Sequence, residues 1–228
     1  MLIALSLLMI LGAVVLTALV ATSQSSRSTR THHDLNEEAR NALNRMAREL
    51  RQADAITHVV NADGATYDPT SLVAVSLRAD FNRDGCIGNA PACTTDVTNP
   101  EEITYCFDPA ATDPASRDSL WLIPYALTTA PATCSLPNAE PILAGRVEGL
   151  QLEYRSNAYL YDTAPTDGVT TWQELDAAGP PVGDPGSSDG DINTNAIDHV
   201  NAVVVHLTMG ADGVTQDYQT QVDLRNDS

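Results

Sequence analysis

The chain opens on an apolar run with very few structural solutions. Residues 1–21 read MLIALSLLMILGAVVLTALVA; 18 of them are apolar and none is charged. Backbone N–H and C=O groups in such a stretch must bond to one another, and a helix does this within one segment. At about 1.5 Å rise per residue the run is roughly 32 Å long, enough to cross a bilayer core of about 30 Å. Nothing stops the helix where the apolar run stops: Gly12 is the one glycine before Gly64, and no proline precedes Gly64.

The chemistry changes while the helix continues. Ser23–Thr31 is polar, with Arg27 and Arg30 as interfacial flanks. Leu35, Ala39, Ala42, Leu43, Met46, Leu50 and Ala53 then recur at spacings of three and four, an amphipathic stripe of helical period. Arg45, Arg48 and Arg51 fall on the other side, as a solvated face or a surface for acidic partners. The expectation is one helix over about residues 1–56, roughly 80 Å long, apolar all round in 1–22 and amphipathic over 23–56. A cleaved secretory signal needs a basic residue ahead of its apolar core, and none precedes this run, although Leu19-Val20-Ala21 resembles a cleavage site. A plain membrane anchor is a second reading. A helix that is both anchor and packing element accounts for the amphipathic continuation as well.

Charge divides the chain at the same place. Residues 1–60 carry six Arg against five acidic residues, whereas 61–228 carry six Arg against 25, and there is no Lys. The net charge of −18 therefore belongs to the part after the helix. So acidic a surface repels phosphates, and no nucleic acid is expected on it. From Thr57 the period shifts to two: Thr57–Ala62, Ser71–Ala79, Ile103–Phe107, Ser119–Tyr125, Val147–Tyr154, Val200–Met209 and Tyr218–Arg225 read as strands. Gly210-Ala211-Asp212-Gly213 reads as a hairpin turn. One helix followed by strands predicts an α+β fold, with an acidic, β-rich head over 57–228 whose antiparallel sheet packs on the helix stripe. Its long loop 158–198 is rich in Gly, Pro, Asp, Ser and Thr.

Four cysteines, Cys86, Cys93, Cys106 and Cys134, all lie in the head, which fits an oxidising compartment. Three pairings exist. The favoured one joins Cys86–Cys93 across a short loop and Cys106–Cys134 between two neighbouring strands; a zinc site competes poorly, because there is no CxxC. Asp80, Asn82 and Asp84, followed by Gly85, match the first half of a calcium loop, and Asp96 stands in for the acid missing where Pro91 sits. Asp189, Asp191 and Asn193 repeat the oxygen spacing more weakly, continued by Asn195 and Asp198. Ca2+ is thus the one cofactor expected, and the plainer reading of both segments is turn chemistry. No catalytic residues are expected: GxSxG, HExxH, P-loop and GxGxxG patterns are absent, and His58, His199 and His206 are isolated. Trp121 and Trp172 read as packing residues, Trp172 with the alternative of a contact in the long loop.

Met1-Leu2-Ile3-Ala4-Leu5 and the helix behind it resemble the N-terminus of type IV pilins and type II secretion pseudopilins. The stretch Leu35–Ala53 resembles the PilW/PulJ-like branch, as do, more moderately, Val147–Tyr154 and the close Val222-Asp223-Leu224-Arg225-Asn226. On that alignment the family's leader, cleavage site and glutamate lie upstream of Met1; the alternative is that Met1 is the mature terminus and the glutamate is absent. The resemblance implies a pilin-like fold and a structural subunit of a type IV pilus or related filament. Such a subunit is held in the bacterial inner membrane and then packed with identical or related pilin subunits in a helical surface filament. It places Met1, Leu2, Ile3, Leu5, Leu8, Ile10, Leu11, Gly12, Val15, Leu16 and Leu19 in the filament core, with Gly12 as the point where the helix bends. Arg45, Arg48 and Arg51 would face neighbouring heads. The alternative is a monomeric, membrane-anchored extracytoplasmic binding or adhesion module that uses the loops 80–96 and 158–198; an anchored hydrolase is a distant third.

Overall fold

A computed structural model describes residues 2–61, 71–80, 101–127, 129, 131–155 and 200–224; the side chains of 2–11, 61, 115 and 155 lie outside the description. The elements are α1 (Leu2–Gln52), β1 (Ala55–Asn61), β2 (Val73–Arg78), β3 (Glu102–Phe107), α2 (Pro114–Arg117), β4 (Leu120–Ile123), β5 (Glu140–Leu143), β6 (Val147–Arg155), β7 (Ala202–Ala211) and β8 (Val214–Asp223). All strand pairs are antiparallel. The protein is α+β, with one long N-terminal helix and antiparallel sheets.

Helix α1 has 51 residues and is about 77 Å long. It ends four residues before the expected Ile56, which belongs to β1. Stripe spacing cannot show this, because Ala53 and Ile56 continue the period. A tertiary bond decides it: Ala53 N–H still bonds Leu50 C=O at 3.2 Å, but Asp54 N–H bonds Arg78 C=O at 2.8 Å. The chain passes from the helix ladder to the sheet within two residues, and β-branched Ile56, Val59 and Val60 follow.

The head holds two sheets where one was expected: a five-stranded meander β1-β2-β3-β4-β5 and a three-stranded sheet β6-β7-β8. The break falls at residues 144–146. Gly145 takes φ 71°, and Arg146 and Val147 N–H both bond Asp118 C=O, at 2.9 and 3.0 Å, which re-aims the chain. Strand β5 has no alternating pattern in the sequence and carries Pro141, which only an edge strand tolerates. The last hairpin is tighter than read: Asp212-Gly213 alone turns it, with φ 52° and 77°, so β8 starts at Val214 rather than Tyr218. Two positive φ values define the type I′ turn that matches strand twist.

One core joins the three layers. All seven stripe residues are buried, six on α1 and Ala53 just past its end, with Ala47 beside them. They meet Val75, Leu77, Tyr105, Phe107 and Leu120 of the first sheet and Leu150, Leu152, Val203, Val205 and Leu207 of the second. A smaller core lies behind the first sheet, where Val60, Ala74, Cys106 and Ile123 are covered by Leu127 and Cys134.

Candidate functional site

The feature that asks for a partner is the distal half of α1. Residues 12–27 are all exposed. Val14, Val15, Leu16, Leu19 and Val20 each keep 50–66% of their surface accessible. At about 100° per residue these five encircle the helix, so no side is covered. Monomeric soluble proteins rarely show so much contiguous apolar surface. The hydroxyls along the way are satisfied by the helix itself: Thr17 Oγ1 donates to Ala13 C=O at 2.8 Å and Thr22 Oγ1 to Ala18 C=O at 2.8 Å. Either hydroxyl can therefore enter an apolar environment without losing its hydrogen bond. Gly12 lies within this unbroken helix, and a Cβ there would meet nothing within 4 Å. Of the expected filament-core residues, Val15, Leu16 and Leu19 are thus exposed together, while the side chains of 1–11 fall outside the description. Among the described residues no helix is long and apolar enough to cross a membrane.

From Thr31 onward the helix meets the head. Thr31 Oγ1 donates to Asp212 Oδ2 at 3.3 Å. Gln216 Nε2 donates to His32 Nδ1 at 2.8 Å, and Tyr218 OH donates to Gln216 Oε1 at 2.6 Å. Arg146 Nη1 pairs with Glu38 Oε1 at 2.9 Å. These polar ties fringe the seam, and the apolar stripe fills it.

The three expected interface arginines separate. Arg48 and Arg51 are exposed, as is Arg40, which the spacing argument missed. Arg45 is partly exposed and lies along the helix, its Nε 3.1 Å from Glu49 Oε1. Glu49 is itself buried, and Tyr105 OH from β3 donates to its other oxygen, Oε2. Burial drives the Tyr105 phenol far above its ordinary range, and the charge of Glu49 and the hydrogen bond to it push the same way. Sequence reasoning missed this trio. Its one signal was a glutamate four residues after Arg45 at the edge of the stripe. Beside it, Glu38, Asn41, Ala42 and Arg45 face Ile142, Leu143 and Ala144 across an open groove of about 440 Å³.

The disulfide Cys106–Cys134 forms as expected, with Cα atoms 5.5 Å apart. It joins β3 to the segment between β4 and β5 rather than to a neighbouring strand, because Cys134 lies in no strand. Ser76 and Thr104 hold the same segment: their hydroxyls are 2.7 Å apart, Leu127 N–H donates to Ser76 Oγ, and Thr104 Oγ1 donates to Tyr125 C=O. Trp121 packs on this core and donates to Ser116 C=O at 3.3 Å. His58 stands in β1, and His206 in β7 lies 3.0 Å from Glu153 Oε1.

Asp80 is half-buried just after β2. Asn82, Asp84, Asp96, Asp189, Asp191 and Asn193 lie outside the described residues, as do Cys86–Cys93, Trp172, His199 and the loop 158–198. Among the described residues no group of three His, Cys, Asp or Glu side chains could hold a metal ion. No protein-family model matches the chain, and neither does any curated protein.

Proposed function

We propose that the chain is a pilin, a structural subunit of a type IV pilus or a related type II secretion-like extracellular filament. The observation that carries this reading is the pairing of a completed head with a bare apolar helix. The head already buries its own core, so the distal half of α1 adds nothing to it; exposed as it is, that half would be a liability unless something covers it. A bilayer covers it first, in the bacterial inner membrane, and the helices of identical or related subunits cover it after assembly, so apolar burial continues without lipid. The acidic heads face outward, where net charge keeps fibres soluble. Arg48 and Arg51, joined by Arg40, are the cations free to meet neighbouring heads.

The test is electron microscopy of filaments sheared from the cell surface, with mass spectrometry of their subunits. The protein is expected in the fibres. Recovery only as dispersed membrane monomer would sink the filament reading in favour of a singly anchored binding module. The proposal extends to Ca2+ at the loop beginning with Asp80: a chelator is expected to lower the melting temperature, and superimposable curves would reject a structural ion.

A further inference from the structure

We propose that Glu49, held by Tyr105 and Arg45, is the positioning residue that fixes the rotation of α1 on the head, and with it which arginines the helix turns outward. The inference rests on the packing of a single chain, so it stands or falls separately from the filament reading.

Apolar contact by itself specifies that rotation weakly. Of the seven buried apolar residues that α1 contributes, Ala39, Ala42 and Ala47 are alanines, which make shallow knobs. One flank is also unfilled. Glu38, Ala42, Arg45 and Glu49 fall within about 60° of one another around the helix, and the groove of about 440 Å³ opens along this flank beside β5. The helix therefore has room to roll toward the groove, at little cost in apolar contact.

Thr31 and His32 tie the far end of the seam, and on the groove side Glu49 is the buried group that resists the roll. Its carboxylate is buried, and its two oxygens are taken by Arg45 from the helix and Tyr105 from the centre of the first sheet. Rolling α1 would pull the carboxylate from Tyr105, leaving a buried phenol with no acceptor while Glu49 keeps Arg45. The other tie on this flank, Glu38–Arg146, is partly exposed at both ends and holds less firmly. A polar contact inside an otherwise permissive interface selects one arrangement out of several of similar packing. Here the arrangement selected keeps Arg45 paired with Glu49 and Arg40, Arg48 and Arg51 exposed.

The test uses the full chain in detergent micelles, with spin-labelled non-natural residues at the exposed positions Asn44 on α1 and Asn138 on the head. Pulsed EPR is expected to give one narrow distance for the wild type and for Glu49→Gln, whose amide oxygen still accepts from Tyr105. The double variant Glu49→Leu/Tyr105→Phe removes both polar groups and is expected to stay folded. It should broaden the distance or add a population shifted by roughly 3–5 Å, the travel of a side chain on a rolling helix 10–12 Å across. A wild-type distance in the double variant would overturn the proposal, and so would broadening in Glu49→Gln. Should the double variant fail to fold, Tyr105→Phe, which leaves Glu49 its Arg45 partner, is read against the same two outcomes.

Discussion

Residues 12–27 of α1 are bare on every side, whereas from Leu35 to Leu50 the same helix is buried along a full stripe. Both halves are rich in Leu and Ala and both are helical, so helix propensity does not separate them. Partner geometry does. The proximal half alternates polar and apolar positions to suit a flat neighbour on one side. The distal half is apolar all round and suits only an environment that surrounds it. A helix can thus be stabilised by its own domain at one end and left bare at the other.

That contrast can be broken most directly with two leucines. Leu50→Ala opens a cavity under α1 and is expected to cost about 2–5 kcal/mol in denaturant unfolding of the full chain. Leu16→Ala removes the same atoms from an exposed position and is expected to stay within about 0.5 kcal/mol. Equal losses at the two sites would show that the distal half is packed in the single chain.

Removing the disulfide asks whether the head's strength is independent of the distal half. Cys106→Ala/Cys134→Ala is expected to lose about 2–4 kcal/mol, read as a lower melting temperature. Hydrogen exchange should quicken in β3 and the segment before β5, and stay unchanged over 12–27. Quickening over 12–27 would mean the two regions are coupled.

Alkaline titration probes the floor beneath the proximal half. Tyr105 and Tyr154 are both held well above the ordinary phenol range, each chiefly by burial. Unfolded tyrosine ionises near pH 10, so above that the folded protein keeps protons the unfolded chain has released. The stabilisation is complete below about pH 10 and falls as pH rises, by about 1.4 kcal/mol per pH unit for each tyrosine. Ultraviolet absorbance should show two phenols that ionise only as the protein unfolds. Their ionisation alongside exposed phenols would place them outside the core.

The smallest effect belongs to the rim of the seam. Arg146→Ala breaks the partly exposed pair with Glu38 and is expected to cost about 0.2–1 kcal/mol. A larger loss in a thermal melt would shift weight from the apolar stripe to its polar fringe.

Much of this architecture was legible in the sequence, and the gaps have physical reasons. The seven stripe residues are all buried because helical spacing reports directly on one face of a rigid rod. Cys106–Cys134 was legible as a pair, but not its placement, since spacing says nothing of where a loop folds back. Strand β5 was missed because Glu140-Pro141-Ile142-Leu143 has no alternation and begins with Glu and Pro, which strands disfavour; pairing with β4 makes it a strand. Glu49 was missed as a buried group because a glutamate in a helix reads as surface until a hydroxyl from a distant strand is shown to meet it.

By itself the amino-acid sequence determined the long helix, the line along it where chemistry changes, the acidic β-rich head and the Asp-Gly turn, because each depends on neighbours three, four or two residues away. Only the tertiary structure decided where the helix stops, how the strands divide into two sheets, and that Arg45 is tied to Glu49 while Arg48 and Arg51 stay exposed. Those outcomes rest on Asp54 N–H meeting Arg78 C=O, on the chain re-aimed at Asp118, and on Tyr105 meeting Glu49. Each is a bond between residues 24 to 56 positions apart, formed only once the chain has closed on itself, and no local pattern encodes it.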